Sequence, residues 1–557
     1  MKINFLKWSI VFVCLLLIVG CHNKDLFNLD AEGPEEEQPQ WTPVTFTYFN
    51  AVTNGQNTYS NMTTLGKRFE EETGVNIKVE YPSNDLDTTI GVMIASGQYP
   101  DMLSPDVAID KIMEAEAFIP LNDLIEEHAP NLKKVYEPYL DLMKHEDGNI
   151  YFIPFGASHG FLANPDIDQG AFWIQRGVLK EFGYPEVTTL DEYFQLIESY
   201  VANYPEINGE KTIGFTALTY DWRFFAMTNP PAHLAGYPND GDVIVNMETY
   251  KASVYGNKEI TKRYLKKLNE INAKGLFDDK AFVTTYEEYL HTISSGRVLG
   301  FFDYRWQVGQ AFNFLSAKGD DDLEYMALPI VFDAGITDQY VDPPSFNSNR
   351  GIGITKSSED PVRIMQFWDY LMKEENQKLI SWGIEGETYE VNEDGRYYRT
   401  KEQMKKTNQE EFKEQFGISI FEWYWPRGAG LFPNGNAWEA RRQPEVAIEN
   451  YTKEEQVLLE IYNLDVFSDL FAEPKERPWF PAWSARIEPG SDAAIFKEQA
   501  QRLQRLWFPQ LVLSKPSEFE AKWEEYVKEY EQLNIEAYEK VMNEFISQRV
   551  EWSENRN

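Results

Sequence analysis

The chain has 557 residues and a formal net charge of −38, from 52 Lys and Arg against 90 Asp and Glu. Hydrophobic residues make up 43%, enough for a substantial core and too many for a disordered chain, and the length accommodates two or more domains. The acid excess argues against a general basic face for nucleic acid, repels anionic lipid heads, and denies heavily anionic ligands long-range steering.

In chain order, Lys2 and Lys7 lead into an apolar run from Trp8 to Gly20. Thirteen residues rise about 20 Å as a helix, against roughly 30 Å of hydrocarbon, so the run is too short to span. The layout is that of a secretory signal. Its end, Ile18-Val19-Gly20-Cys21, resembles the bacterial lipobox, in which a diacylglycerol is attached to the cysteine thiol before cleavage; Ile18 departs from the usual Leu. The plain alternative is an ordinary signal followed by an incidental cysteine. Cys14 leaves with the signal, so the mature chain keeps Cys21 alone. That excludes an intrachain disulfide and a thiolate zinc cluster. Residues 22–43 are polar, acidic and carry Pro34, Pro39 and Pro43. They read as a flexible tether.

The folded body opens with a strand at VTFTYFN (44–50), a polar loop, and a helix at TTLGKRFEEETG that ends on Gly74. VNIKVEYP alternates, with Val75, Ile77 and Val79 on one face. A second helix carries Ile90, Met93 and Ile94, and DMLSPD follows as a short strand. This β-α-β-α-β order predicts an α/β fold with a parallel sheet and right-handed crossovers. Ligands in such sheets sit beyond the carboxyl ends of the strands, here the loops after Phe49 and Leu103. Asp147-Gly148 suits a tight turn, and Thr189 with Glu192 forms a capping box.

LGKRFEEETGVNIKVEYP followed by IASGQYPDML resembles the opening of the family 1 extracellular solute-binding proteins, which include maltose-binding protein. LNDLIEEHAPNL, HEDGNIYFIPF, FWIQRGVLKEFGYPEVTTLDEY, ISSGRVLGFFDYRWQV and NRGIGITKSSEDPVRIMQFWDYLMKEE continue it. WGIEGETYEVNEDGRYYR and the C-terminal FEAKWEEYVKEYEQLNIEAYEKVMNEFI are similar to the larger, LplA-like lipoprotein branch of Gram-positive bacteria. The blocks are scattered over most of residues 44–550.

The resemblance implies a two-lobed, type II periplasmic-binding-protein-like fold with a ligand cleft. Closure is driven by ligand contacts to both lobes, and the loaded form is delivered to an ABC permease. It implies no covalent chemistry and no cofactor, and a monomer bound to the outer face of the cytoplasmic membrane by its lipid; some relatives bind calcium, but no metal ligands are assigned in this chain. The expected organisation is lobe 1 over 44–156 and 346–390, and lobe 2 over 157–345 and 391–557. Crossings are expected near Pro154–Ala157, Phe346–Gly351 and Gly383–Glu390.

A sugar offers hydroxyl edges and apolar C–H faces. Its site therefore needs aromatic plates beside amides, carboxylates or Arg. Among 15 Trp, 31 Tyr and 36 Phe, most must be core. By family position, Trp306 in FFDYRWQV, with Asp303 and Tyr304 before it, and Trp222 in LTYDWRFF are expected cleft aromatics. Asn50, Asn54 and Asn57 follow the first strand, where the family commonly has acidic residues. Asp106 follows the DMLSP strand; Ser158 and His159 follow the first crossing. Each of these has a plain alternative as a solvated loop residue or a backbone turn bond.

The aperiodic block FEWYWPRGAGLFPNGNAWEARRQP holds Trp423, Tyr424, Trp425, Arg427, Trp438, Arg441 and Arg442. It reads as a long loop that either caps the cleft or wedges the lobes as structure. Its arginines would matter for a ligand bearing uronate groups.

Other chemistries find little support. The six histidines lack metal-ligand spacing, and no His-Glu-x-x-His occurs. GIGITK lacks the third glycine of a dinucleotide loop, NEDGRYY has too few acids for a calcium loop, and no Gly-x-Ser-x-Gly elbow is present. Two rival classes remain open: a secreted glycoside hydrolase, which needs two facing carboxylates, and a peptide-binding lipoprotein.

Overall fold

The computed structural model describes residues 42–555 apart from 52–54, 84 and 423. Cys21, nearly all of the expected tether, Asn54 and Trp423 therefore lie outside the described residues.

Two sheets organise the body. In the first, Val44–Asn50 pairs in parallel with Val75–Glu80 on one side and Met102–Ser104 on the other. Between them run the helices Thr64–Thr73 and Leu86–Ser96, as the β-α-β-α-β pattern predicts. The first helix starts where the Thr63 side chain accepts from the Gly66 N–H, and it ends at Gly74 with φ 70°. Leu65 and Phe69, four residues apart, bury its inner face against Ile77 and Val79. Gly351–Ile354 then returns antiparallel to Met102–Ser104, with Ile153–Pro154 beyond it.

The second sheet runs in the order Ile213–Thr216, Val298–Tyr304, Gly170–Gln175, Tyr325–Leu328. The first two strands are parallel and the other pairings antiparallel. All seven residues of Val298–Tyr304 are buried, the pattern of a central strand covered on both faces. Gly300 makes room there: a Cβ would meet the Tyr193 hydroxyl at 2.0 Å, and that hydroxyl donates to the Trp173 carbonyl at 2.6 Å. The capping box of Thr189 and Glu192 is present as expected.

Each sheet has its own apolar core. Phe46, Tyr48, Phe69, Ile77, Ile352 and Trp368 belong to the first. Phe172, Tyr193, Phe215, Phe301 and Leu315 belong to the second. The long helices Asp492–Val512, Phe519–Tyr530 and Ile535–Glu554 join the second core through Phe496, Phe508, Tyr526, Tyr538 and Ile546. The last helix also reaches the connecting chain, where Arg549 donates to the Phe346 carbonyl (3.1 Å) and the Ser348 hydroxyl (2.8 Å).

The chain does not leave the first core near Gly383–Glu390. Phe416, Ile420, Phe421 and Trp425 all pack into it. Gly428–Gly430 then lies parallel to Ala157–His159, and the second core is rejoined at Leu458. The reason is aromatic packing: Trp382, Tyr389, Tyr397, Phe432 and Trp438 form one cluster that holds residues 382–438 together. Among the described residues, no helix is long and apolar enough to cross a membrane.

Candidate functional site

Parallel pairing creates the most conspicuous surface feature. Because Ile213–Thr216 and Val298–Tyr304 run in the same direction, the segments that follow them emerge together at the carboxyl end of the sheet. One carries Trp222 in the turn Asp221–Phe224; the other places Trp306 in the first turn of the helix Arg305–Ser316. The two indoles are nearly parallel, at 9°, with ring centroids 6.0 Å apart. They are 58% and 57% exposed. Phe225 lies 5.9 Å from Trp222 and 6.2 Å from Trp306, and Tyr304 lies 6.2 Å from Trp306. Paired open aromatic faces of this kind suit the C–H faces of a sugar or another flat apolar surface.

The plates are held from behind. The Arg223 guanidinium lies 4.7 Å from the Trp222 ring and 4.1 Å from Tyr286, and it pairs with Asp221. Asp221 itself has a φ of 41°, a conformation that needs support in a residue with a side chain. Arg505, from the C-terminal helices, supplies that support by donating to the carbonyls of Thr219 (2.8 Å) and Asp221.

Asp303 was expected to meet ligand, and the structure corrects this. It has no exposed surface and accepts from the Tyr304 N–H (2.7 Å), the Gln307 amide (2.6 Å) and the Tyr289 hydroxyl (2.8 Å). Burial pushes its carboxyl up to about 7 against those hydrogen bonds. It fixes the strand-to-helix turn from which Trp306 projects. Tyr304 is also buried; its hydroxyl accepts from Asn229 Nδ2 at 2.9 Å.

Beside Tyr304 stands a pair of acids. Asp342 is close enough to affect the Tyr304 hydroxyl electrostatically. Burial, reinforced by Asp168 and Asp240, pushes Asp342 up to about 8. The Oδ1 atoms of Asp168 and Asp342 are both buried and have no hydrogen-bond partner among the described residues. An orphaned buried acceptor of this kind is costly and suits a donor brought by a ligand.

Next to the acids are the arginines of the aperiodic block. Arg427 pairs with Glu439 at 3.0 Å, and Arg441 pairs with Glu439 at 2.8 Å and Asp168 at 3.1 Å. Arg442 lies 3.5 Å from Glu439 and 3.8 Å from Asp168. Burial alone would raise Glu439, but these three guanidiniums hold it well below the usual carboxylate range. Glu422, behind them, is raised by burial. Trp425, by contrast, is a core residue. It is 1% exposed, its indole donates to the Ile420 carbonyl at 2.7 Å, and Tyr48, Phe367 and Phe421 surround it.

On the first sheet, Asn50 is 1% exposed at the end of its strand, so it does not present a free amide edge. Asp106, with φ 50°, pairs with Arg350 at 2.7 Å. Tyr424 packs edge-on against Phe155 and lies near both charges. The Ser158 carbonyl accepts from the Tyr139 hydroxyl at 2.6 Å, and His159 Nε2 lies 2.8 Å from the Val135 carbonyl. Both belong to the strand pair beside Gly428–Gly430. No group of three or more His, Cys, Asp or Glu among the described residues is placed to hold a metal ion.

Trp222, Trp306 and Tyr304 are thus brought together, with Asp303 beneath them. Asp106, Ser158, His159 and Arg427 lie on other elements and are engaged with protein groups. The residues that sequence reasoning missed are Asp168, Asp342, Asn229 and the bracing Arg223 and Arg505. Asp342 carried a local signal, lying four residues before the second expected crossing, and Asp168 a weaker one, eleven residues beyond the first.

A model of the family described as bacterial extracellular solute-binding protein matches residues 64–384. The fructooligosaccharide ABC transporter substrate-binding protein FusA of Streptococcus pneumoniae is 29% identical over 244 residues, covering 40% of this chain and 43% of its own length. The chain therefore matches less than half of that curated relative. Among solved structures, FusA in complex with kestose aligns with a TM-score of 0.64 at 18% identity, over 91% of this chain and 99% of that one. The alginate-binding protein AlgQ2 without calcium ion aligns at 0.61 and 16%, over 92% and 100%. An HMO-binding, ABC-transporter-associated solute-binding protein from Bifidobacterium longum infantis aligns at 0.63 and 14%, over 91% and 98%. These likenesses establish the fold as the two-lobed binding-protein type.

Proposed function

We propose that this chain, which belongs to the bacterial extracellular solute-binding protein family, is the substrate-binding component of an ABC importer and takes an oligosaccharide into the cleft between its lobes. The observation that carries the reading is the exposed, near-parallel Trp222–Trp306 pair. Across Tyr304 lie Asp342 and, beyond it, Asp168, each with a buried carboxyl oxygen that has no hydrogen-bond partner among the described residues. Aromatic faces and unmatched acceptors are the two things a carbohydrate ring requires at once. The naming of FusA as a fructooligosaccharide transporter component supports the ligand class.

In this reading Trp222 and Trp306 stack on sugar rings, and Asp168 and Asp342 accept from their hydroxyls. Asp303, Arg223 and Arg505 position the plates. Contacts made by one ligand to both lobes favour the closed arrangement over the open one. The permease reads that arrangement. Cys21 carries the lipid that holds the chain at the outer face of the membrane, and residues 22–43 let the body stand off from it. The chain acts as a monomer without cofactor and does not alter its ligand chemically.

Calorimetric titration of the purified chain with fructo-, malto-, galacto-, xylo- and manno-oligosaccharides tests this. One class is expected to bind and to be recovered intact. Accumulating reducing ends would instead assign a glycoside hydrolase, and binding of peptides but no sugar would assign a peptide carrier.

A further inference from the structure

The aperiodic block brings three arginines to the neighbourhood of the acid pair, where they would matter for a ligand bearing uronate groups. Their partners argue against such a ligand. Arg427, Arg441 and Arg442 face Glu439 and Asp168 at 2.8 to 3.8 Å. Glu422 adds a further carboxyl to the same group. Asp342 lies within electrostatic reach of Asp168 and, more weakly, Arg442. The three guanidiniums are thus paired with Glu439 and Asp168, with Glu422 and Asp342 in electrostatic reach, and Glu439 is held in its ionised form by all three. A guanidinium already paired with a carboxylate offers an incoming anion little net attraction, and displacing the resident partner leaves a buried charge alone.

The acid pair points the same way. The Oδ1 atoms of Asp168 and Asp342, unpartnered among the described residues, can accept from hydroxyls and offer an incoming carboxylate no donor. The upward displacement of Asp342, caused by burial first and by Asp168 and Asp240 after it, marks a place where further negative charge is unwelcome. The overall charge of −38 adds no long-range attraction for an anion.

We infer that the site selects neutral, hydroxyl-rich oligosaccharides and rejects uronate-containing ones, with Glu439 and Asp168 acting as the built-in occupants of the arginine cluster. This rests on the oligosaccharide reading above and narrows it to one ligand class. Removing one resident carboxylate should free the arginines for a ligand carboxylate. Glu439→Gln does this at the centre of the cluster. Asp168→Asn does it at the edge, where loss of folding is less of a risk.

The test is calorimetry of the native chain and both variants against the neutral panel and against oligogalacturonate and oligoalginate of matched length. The native chain should bind its best neutral sugar at least about 100-fold more tightly than any oligouronate. Each folded variant should tighten the oligouronate Kd itself by about tenfold, the worth of one charge-assisted bond, whatever happens to the neutral sugar. An oligouronate bound by the native chain within about threefold of the best neutral sugar overturns the inference and leaves the oligosaccharide reading standing. An oligouronate Kd that does not tighten in folded Asp168→Asn overturns the role given to the arginine cluster. Binding of no saccharide at all overturns the parent reading, and this inference with it.

Discussion

Replacing Trp306 by alanine tests the aromatic platform most directly. Trp306 is 57% exposed. Of the roughly 250 Å² that a tryptophan can bury, about 140 Å² therefore stays open, and a sugar ring would cover about half of it. At about 25 cal/mol per Å², burying roughly 70 Å² contributes about 1.8 kcal/mol, or about 20-fold in Kd. The same exposure means that folding gains little from the ring, so the stability change should stay below about 1 kcal/mol. Trp306→Ala should thus weaken the best-binding sugar by about 20-fold while thermal unfolding hardly moves, and Trp306→Phe should recover part of the loss. Calorimetry read beside a melting curve separates the two effects. A Kd within about twofold of native, with the fold intact, would refute the assignment of this plate to ligand.

Other consequences follow from placements elsewhere in the molecule. Trp425→Ala removes a fully buried ring from the first core and should cost about 3–5 kcal/mol in denaturant unfolding; an effect confined to binding would contradict its burial. Burial pushes Asp303 up to about 7 from an ordinary 3.8, so the folded chain holds more protons than the unfolded one between those values. The stability from this group is then full below pH 4 and is lost as pH rises to about 7. Melting temperatures across that range should decline less steeply in Asp303→Asn than in the native chain, and identical slopes would exclude the effect. Arg486, carried by a segment packed on the second core, donates to Asp110 (3.0 Å) and His145 Nδ1 (2.7 Å) on the first-sheet side. The contact is partly exposed, so Arg486→Ala should weaken ligand affinity by a modest, measurable amount, about two- to fivefold. A larger radius of gyration in small-angle scattering of the ligand-bound variant would accompany it, and an unchanged radius and Kd would remove the contact from the closing motion.

Much of the fold was legible because it is local. The alternation Val75, Ile77, Val79, the helix stop at Gly74 and the capping box of Thr189 and Glu192 are set by neighbours a few residues apart. They read the same in sequence and structure. The platform was half legible. Trp222 and Trp306 could be named from their places after two strands, but their side-by-side setting needs the parallel pairing of Ile213–Thr216 with Val298–Tyr304.

What the tertiary structure alone decided concerns partners far apart in the chain. Asp303 looked like a loop residue and is a buried brace, because Tyr289 and Gln307 turn their donors toward it. Trp425 lies in an aperiodic stretch, yet it fills the first core beside Tyr48, more than 370 residues earlier in the chain. The three arginines looked available from sequence, and Glu439 and Asp168 occupy them. Composition and periodicity determine where strands and helices form, since those depend on the backbone and nearest neighbours. Whether a charge is satisfied or a ring exposed depends on which distant segment arrives beside it, and only the folded chain specifies that.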